Sequence, residues 1–211
     1  MNSKVVIVDY GVGNLFSINE ACKHLGYSTI LSSNPEVILN ATHIILPGVG
    51  AFEIAINRLQ SLNLIEVLKL YVKTGKPLMG VCLGMQLLFD ESVEFGSHKG
   101  LGLIEGKILK FPEFFNENKL VIPHIGWNSI IKKNLDWAET PLKKTSNNSL
   151  MYFVHSYYAL PNSESNILTE STYSDFNFCS SVKKDNIYGF QFHPEKSGKD
   201  GLEVYNNFLK I

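Results

Sequence analysis

The chain lacks several features that would assign it to a class at once. It has only three cysteines in 211 residues, Cys22, Cys82 and Cys179, widely separated. Such a set cannot make a disulfide framework, and a reducing, cytoplasmic setting is expected. Charge of one sign is also missing: 19 Lys and Arg against 20 Asp and Glu leave a net charge of -1. A protein whose principal ligand is nucleic acid needs a basic surface, so no nucleic-acid partner is expected. Long apolar runs are absent. The run Val5 to Val8 is too short for the core of a signal peptide. The stretch Leu78 to Phe89 is broken by polar residues and glycine and falls short of the roughly 20 residues of a spanning helix. No membrane association is expected. Histidines and cysteines show neither His-x-x-x-His nor Cys-x-x-Cys spacing, so no metal is expected, and His24 and His43 read as structural or solvated. In Asp9-Tyr10-Gly11-Val12-Gly13-Asn14 a dinucleotide fingerprint would need glycine where Phe16 stands, so no cofactor is expected either.

What is present is an ordinary hydrophobic share of 45%, arranged in two styles. In the first half short apolar runs alternate with helical patterns. Val5 to Asp9, Ser28 to Leu31, His43 to Leu46 and Pro77 to Val81 read as strands. Leu15 to Leu25, a start at Asn34-Pro35, Ala51 to Gln60 and Ile65 to Val72 read as helices. In the second half the runs are β-rich and separated by turn residues: Ile104 to Phe111, Lys119 to Ile122, Trp127 to Ile131, Met151 to Val154, Phe176 to Val182 and Ile187 to Gln191. A last helix, Leu202 to Leu209, should turn Leu202, Tyr205, Phe208 and Leu209 inward. The polar stretch Lys132 to Asn148 reads as a mobile insertion. The expected fold class is α/β: a flavodoxin-like, mostly parallel sheet with helices on both faces, plus an antiparallel β extension in the second half, all within a single domain, 1–211.

Three stretches carry chemistry. Gly80-Val81-Cys82-Leu83-Gly84-Met85-Gln86 has the form Gly-x-Cys-x-Gly between a strand and a helix. Small flanking residues permit a sharp turn that presents the thiol, as in a nucleophile elbow, and the N–H of Leu83 is placed to meet an oxyanion. In Gln191-Phe192-His193-Pro194-Glu195, extended backbone sends His193 and Glu195 to one side, which makes a base with its orienting acid. Pro47-Gly48-Val49-Gly50 ends a strand on the same edge, and its glycines allow a peptide N–H to face developing negative charge. Read singly, each stretch also fits a bland role: a buried cysteine, a surface ion pair, an ordinary turn.

Together these stretches resemble the class I, or triad, glutamine amidotransferases. Four more, Asp9 to Leu15, Pro123 to Asn128, Tyr152 to Tyr158 and Lys196-Ser197-Gly198, resemble in particular the glutaminase subunits of imidazole glycerol phosphate synthases. The resemblance implies a Cys82–His193–Glu195 triad acting on L-glutamine through a thioester. It implies oxyanion donors at Val49, Gly50 and Leu83, and glutamine contacts at Gly50, Gln86, Ser156 and Tyr157. It further implies a heterodimer with a (β/α)8-barrel cyclase that receives the ammonia, and Tyr10, Gly11, Asn14, Trp127 and Lys196 are expected on the partner-facing rim. Phe95-Gly96-Ser97-His98-Lys99-Gly100 resembles relatives that serve nucleotide-sugar pathways. That acceptor, a flavodoxin-like redox sensor and a γ-glutamyl peptidase stay open as alternatives.

Overall fold

The computed structural model describes residues 4–133 and 135–211. The beginning of the N-terminal stretch (1–3) and residue 134 of the polar segment lie outside the described residues.

The first half folds as strand and helix in alternation: β1 (Val5–Val8), α1 (Leu15–His24), β2 (Thr29–Ser32), α2 (Pro35–Leu39), β3 (His43–Leu46), α3 (Phe52–Ser61), α4 (Leu64–Lys73), β4 (Leu78–Val81) and α5 (Leu83–Leu87). Local signals explain the helix starts. Asn34 Oδ1 accepts from the N–H groups of Glu36 and Val37, with Pro35 just inside the helix, and Asn14 Oδ1 accepts from Ser17 N–H. The second half supplies β5 (Phe89–Ser92), β6 (His98–Lys99), β7 (Ile104–Lys110), β8 (Phe114–Phe115), β9 (Asn118–Lys119), β10 (His124–Ser129), β11 (Ile131–Lys132), β12 (Leu150–His155), β13 (Tyr157–Pro161), β14 (Ile167–Tyr173), β15 (Phe176–Lys184), β16 (Ile187–Phe190) and α6 (Gly198–Phe208).

One large sheet runs β2-β1-β3-β4-β16-β15-β13-β7-β5-β6, with β14 beside β15 and β11 beside β14. Its first five strands are parallel, in the doubly wound order of flavodoxin-like folds. Strands β15, β13 and β14 extend it in antiparallel fashion. Val6 and Val8 face a core completed by Phe52, Leu59, Leu68 and Tyr71 of α3 and α4. Val5 and Ile7 face the opposite core with Ile18 and Cys22 of α1 and Val204, Tyr205 and Phe208 of α6. Burial on both faces is why these strands are apolar without alternation. No helix among the described residues is long and apolar enough to cross a membrane.

Several expectations need correction. Lys119 to Ile122 is not a strand: Asn116 and Glu117, both at positive φ, close a two-residue hairpin between β8 and β9, and only Lys119 of that stretch pairs. Trp127 to Ile131 is two strands. β10 starts earlier, at His124, and pairs with β12, whereas β11 pairs with β14 after a break at the buried Ile130. The last helix begins at Gly198, and Leu202 is only partly buried while Val204 takes a core position. The polar segment from Lys132 to Asn148 is not a solvated loop. Trp137 and Leu142 are buried, Trp137 Nε1 donates to the Leu168 carbonyl at 3.2 Å, and Asn207 Nδ2 donates to that of Pro141 at 3.1 Å.

Candidate active site

The parallel strands β4 and β16 lie side by side, with Gly80 opposite Gly189 and Val81 opposite Phe190. Their C-terminal ends bring together residues more than a hundred positions apart. Cys82 follows β4 directly at φ 54° and ψ -113°. This is a strained conformation for a residue with a side chain, of order 1–3 kcal/mol, and it persists only where the surroundings enforce it. The flanking glycines show what enforces it. A Cβ on Gly80 would meet the carbonyl of Gly84 at 2.6 Å, and one on Gly84 would collide with the Leu46 carbonyl oxygen. The elbow is therefore a close approach of β3, β4 and α5 that no larger residue permits. Cys82 N–H donates to the Phe190 carbonyl at 2.7 Å, which ties the bend to β16.

Beyond β16, His193 is anchored by its backbone N–H to Tyr152 O at 2.9 Å and through its carbonyl to Ser197 Oγ at 2.7 Å. Its Nδ1 donates to Glu195 Oε1 at 2.8 Å, and Glu195 Oε2 accepts from Tyr205 O–H at 3.2 Å. Both side chains are almost fully buried. A carboxylate can only accept, so Nδ1 carries a proton and Nε2 faces the elbow. The buried Nε2 has no partner of good hydrogen-bond geometry among the described residues. Burial works to lower the imidazole pKa, but Cys82 and Glu195 outweigh it and raise the pKa above the usual histidine value.

A cavity of about 280 Å³ opens over the sulfur. Val49 and Gly50 line it from the loop after β3, and Leu83 and Gln86 from α5. Pro123 and residues 154–157 line the opposite wall, with His193 and Glu94. Gly50 sits at φ +93°, where glycine is favoured. A second histidine in the wall, His155, is a poor base. Its Nδ1 donates to Tyr157 O at 2.8 Å and its Nε2 accepts from His124 Nδ1 at 3.1 Å, so both nitrogens are in use. Burial pushes His155 down to about 3 and His124 to about 4.

The structure thus places Cys82, His193, Val49, Gly50, Leu83, Gln86, Ser156 and Tyr157 around one cavity, with Glu195 behind His193. Gln86 is not a free arm. Its two amide hydrogens go to Tyr157 O at 3.2 Å and Gln191 Oε1 at 2.9 Å, which leaves its own oxygen for a ligand. The expected rim divides. Gly11, Trp127 and Lys196 are exposed; Trp127 meets Tyr152 edge-on at 6.1 Å, and Lys196 Nζ lies 5.9 Å from the same ring. Asn14 is partly exposed and is spent on capping α1. Tyr10 is a correction: it is buried and donates from its hydroxyl to Pro47 O at 2.6 Å, so it braces the loop before Val49 from beneath instead of facing a partner. Two polar residues escaped the sequence reading. Glu94 lines the cavity and accepts from Phe52 N–H, the first turn of α3, at 2.5 Å; nothing in its local sequence marks it. Gln191, buried beside Cys82, could have been found by extending the alternation of His193 and Glu195 one step back.

Comparison with known proteins gives the family of the chain. The glutamine amidotransferase class-I family model matches residues 6–211. The chain is 45% identical to imidazole glycerol phosphate synthase subunit HisH 1 of Legionella pneumophila strain Lens, over 99% of this chain and 100% of that one. It is 41% identical to subunit HisH of Geobacter sulfurreducens over 98% of each. A crystal structure described as a glutamine amidotransferase superposes with a TM-score of 0.73 at 18% identity, covering 97% of each chain, and PurLQS from Thermotoga maritima with 0.69 at 19%, covering 100% of this chain and 99% of that one. These two share the fold. With a thiol and an imidazole on one cavity, a carboxylate behind the imidazole, and a family match over nearly its whole length, the chain belongs to the class-I glutamine amidotransferases.

Proposed function

We propose that this chain is the glutaminase subunit of an imidazole glycerol phosphate synthase, working as one domain in the cytoplasm. The observation that carries the chemistry is that the Cys82 elbow and His193 line one cavity, with the far nitrogen of His193 held by Glu195. The Cys82 thiolate attacks the side-chain amide carbon of L-glutamine and forms a C–S bond. The oxyanion rests on the Leu83 N–H and on an amide of the Val49–Gly50 peptide; one such donor is worth about 3 kcal/mol in the transition state. Protonated His193 gives its proton to the departing nitrogen, the C–N bond breaks and ammonia leaves. Neutral His193 then takes a proton from water, which attacks the thioester; the C–S bond breaks, glutamate leaves and the Cys82 thiolate is restored. Gln86 offers its oxygen to the substrate. Glu94, the one carboxylate among the cavity residues, suits the α-ammonium, and Ser156 and Tyr157 close the opposite wall.

Ammonia is useful only if it reaches an acceptor before it escapes. The Legionella and Geobacter relatives are named as subunits of a larger synthase. The same arrangement here gives a heterodimer with a (β/α)8-barrel cyclase, which docks on the face carrying Gly11, Trp127 and Lys196. The test is a reconstituted synthase. Cys82→Ala should abolish glutamine-dependent formation of imidazole glycerol phosphate while synthesis from ammonium salts continues. Glutamine hydrolysis by the unsubstituted chain should rise when cyclase and acceptor nucleotide are added. Glutamine use by the Cys82→Ala chain would remove this nucleophile, and failure of the cyclase to accept its ammonia would remove this acceptor.

A further inference from the structure

The mechanism above gives Gln191 no part, yet this side chain is fully buried and touches the nucleophile. The register of β4 and β16 puts it there: Val81 pairs with Phe190, so the next residues, Cys82 and Gln191, emerge together from the sheet. The direction of its hydrogen bonds follows from one backbone carbonyl. Tyr157 O can only accept, so both His155 Nδ1 at 2.8 Å and Gln86 Nε2 at 3.2 Å donate to it. That fixes the Gln86 amide with its nitrogen inward, and its second hydrogen goes to Gln191 Oε1 at 2.9 Å. The Gln191 amide is fixed in turn, so its Nε2 donates to Cys82 Sγ at 3.8 Å. The other contact of the sulfur, with Val154 O at 3.9 Å, serves only a thiol, because a carbonyl offers no proton to a thiolate.

We propose that Gln191 is a thiolate-holding residue: its amide, oriented through Gln86 by the Tyr157 carbonyl, donates to the Cys82 sulfur and favours the ionised nucleophile. The inference rests on the reading of Cys82 as nucleophile. The titratable groups that face the sulfur are His193, with Glu195 behind it, Tyr10 from beneath, and His155, Glu94 and Tyr157 across the cavity. Gln191 donates to the sulfur through an amide that does not titrate, so its contribution is insensitive to their titration. A donor to a charged acceptor is worth more than one between neutral groups, enough to move a thiol by about one pH unit.

The test is the pH dependence of Cys82 alkylation by iodoacetamide, with the labelled cysteine identified by peptide mass. Gln191→Met keeps the volume and removes the donor. Gln191→Glu keeps an acceptor for Gln86 and replaces the donor with oxygen. The alkylation midpoint should rise by about one pH unit in the Met variant and further in the Glu variant. The acid limb of kcat/KM against pH should move with it, and the alkaline limb should stay. A Met variant that is folded by circular dichroism and keeps the unsubstituted midpoint overturns the proposal, even if the Glu variant shifts. A second measurement needs no substitution at this position. The side-chain amide resonances of Gln191 should step at the alkylation midpoint in the unsubstituted chain, and the step should vanish in Cys82→Ala. Absence of that step also overturns the proposal. A chain that shows the step but hydrolyses no glutamine would lose the glutaminase reading alone.

Discussion

Glu195 is wholly committed at the residue scale. One carboxylate oxygen holds His193 Nδ1 and the other holds the Tyr205 hydroxyl, and the side chain is 1% exposed. Glu195→Gln preserves shape, removes the charge that favours the imidazolium, and leaves one acceptor oxygen where His193 Nδ1 and the Tyr205 hydroxyl now use two. Glutamine turnover should fall by about 10²- to 10⁴-fold, with KM nearly unchanged because Glu195 does not line the cavity. Steady-state glutamate production measures it, and a loss smaller than tenfold would contradict the orienting role. This pair was legible in the sequence because two residues at a spacing of two share a side in extended backbone. Glu94 was not legible. Its meaning comes from meeting the start of α3 across 42 positions, a contact that no local pattern encodes.

At the scale of elements, the segment between β11 and β12 changes its reading most. Its polar composition suggested a mobile insertion, but Trp137 and Leu142 anchor it in the core shared by α1 and α6. Five positions separate them, which fits neither helical nor strand periodicity, so the pattern gave no warning. Trp137→Ala removes a buried ring and its bond to the Leu168 carbonyl. It should cost about 3–5 kcal/mol of stability in chemical denaturation. Glutamine turnover of the folded fraction should change little, since the ring lies outside the cavity lining. A loss under 1 kcal/mol would return the segment to the class of dispensable loops. The elbow behaves differently. Its two glycines were visible in the sequence, but the atoms they avoid, on Gly84 and Leu46, belong to the packing of three elements.

For the whole molecule, the balance of buried histidines sets the response to acid. Burial holds His43, His124 and His155 below the ordinary value, the last two at about 4 and about 3. Below about pH 6.5 the unfolded chain takes up protons that these folded rings refuse, so stability falls as pH drops toward the folded values, by up to about 1.4 kcal/mol per pH unit for each ring. His193 is raised and has the opposite sense. Its contribution is complete below about pH 6.5 and is lost as pH rises through its folded value. Between pH 6.5 and 5 the unfolded His193 also takes up its proton, which offsets at most one of the three depressed rings, and the other two leave a net downward slope. Denaturation midpoints at pH 7, 6 and 5 should therefore decline steadily. His124→Phe, placed in the aromatic cluster with Phe153, Tyr173 and Phe178, should flatten that decline. A midpoint constant from pH 7 to 5 would show that these rings titrate normally.

The sequence by itself determined the alternation of apolar strands and capped helices, hence the parallel sheet, and it determined the two short motifs that carry thiol, imidazole and acid. Those are local properties, written in spacing, glycine and chain direction. Only the tertiary structure decided that β16 returns to lie beside β4. That pairing sets Gln191 against Cys82 and within reach of Gln86, while packing elsewhere turns Tyr10 inward and hides Trp137. The reason is physical: a side chain's partners across a sheet depend on strand order and register, and these are fixed by burial over the whole core.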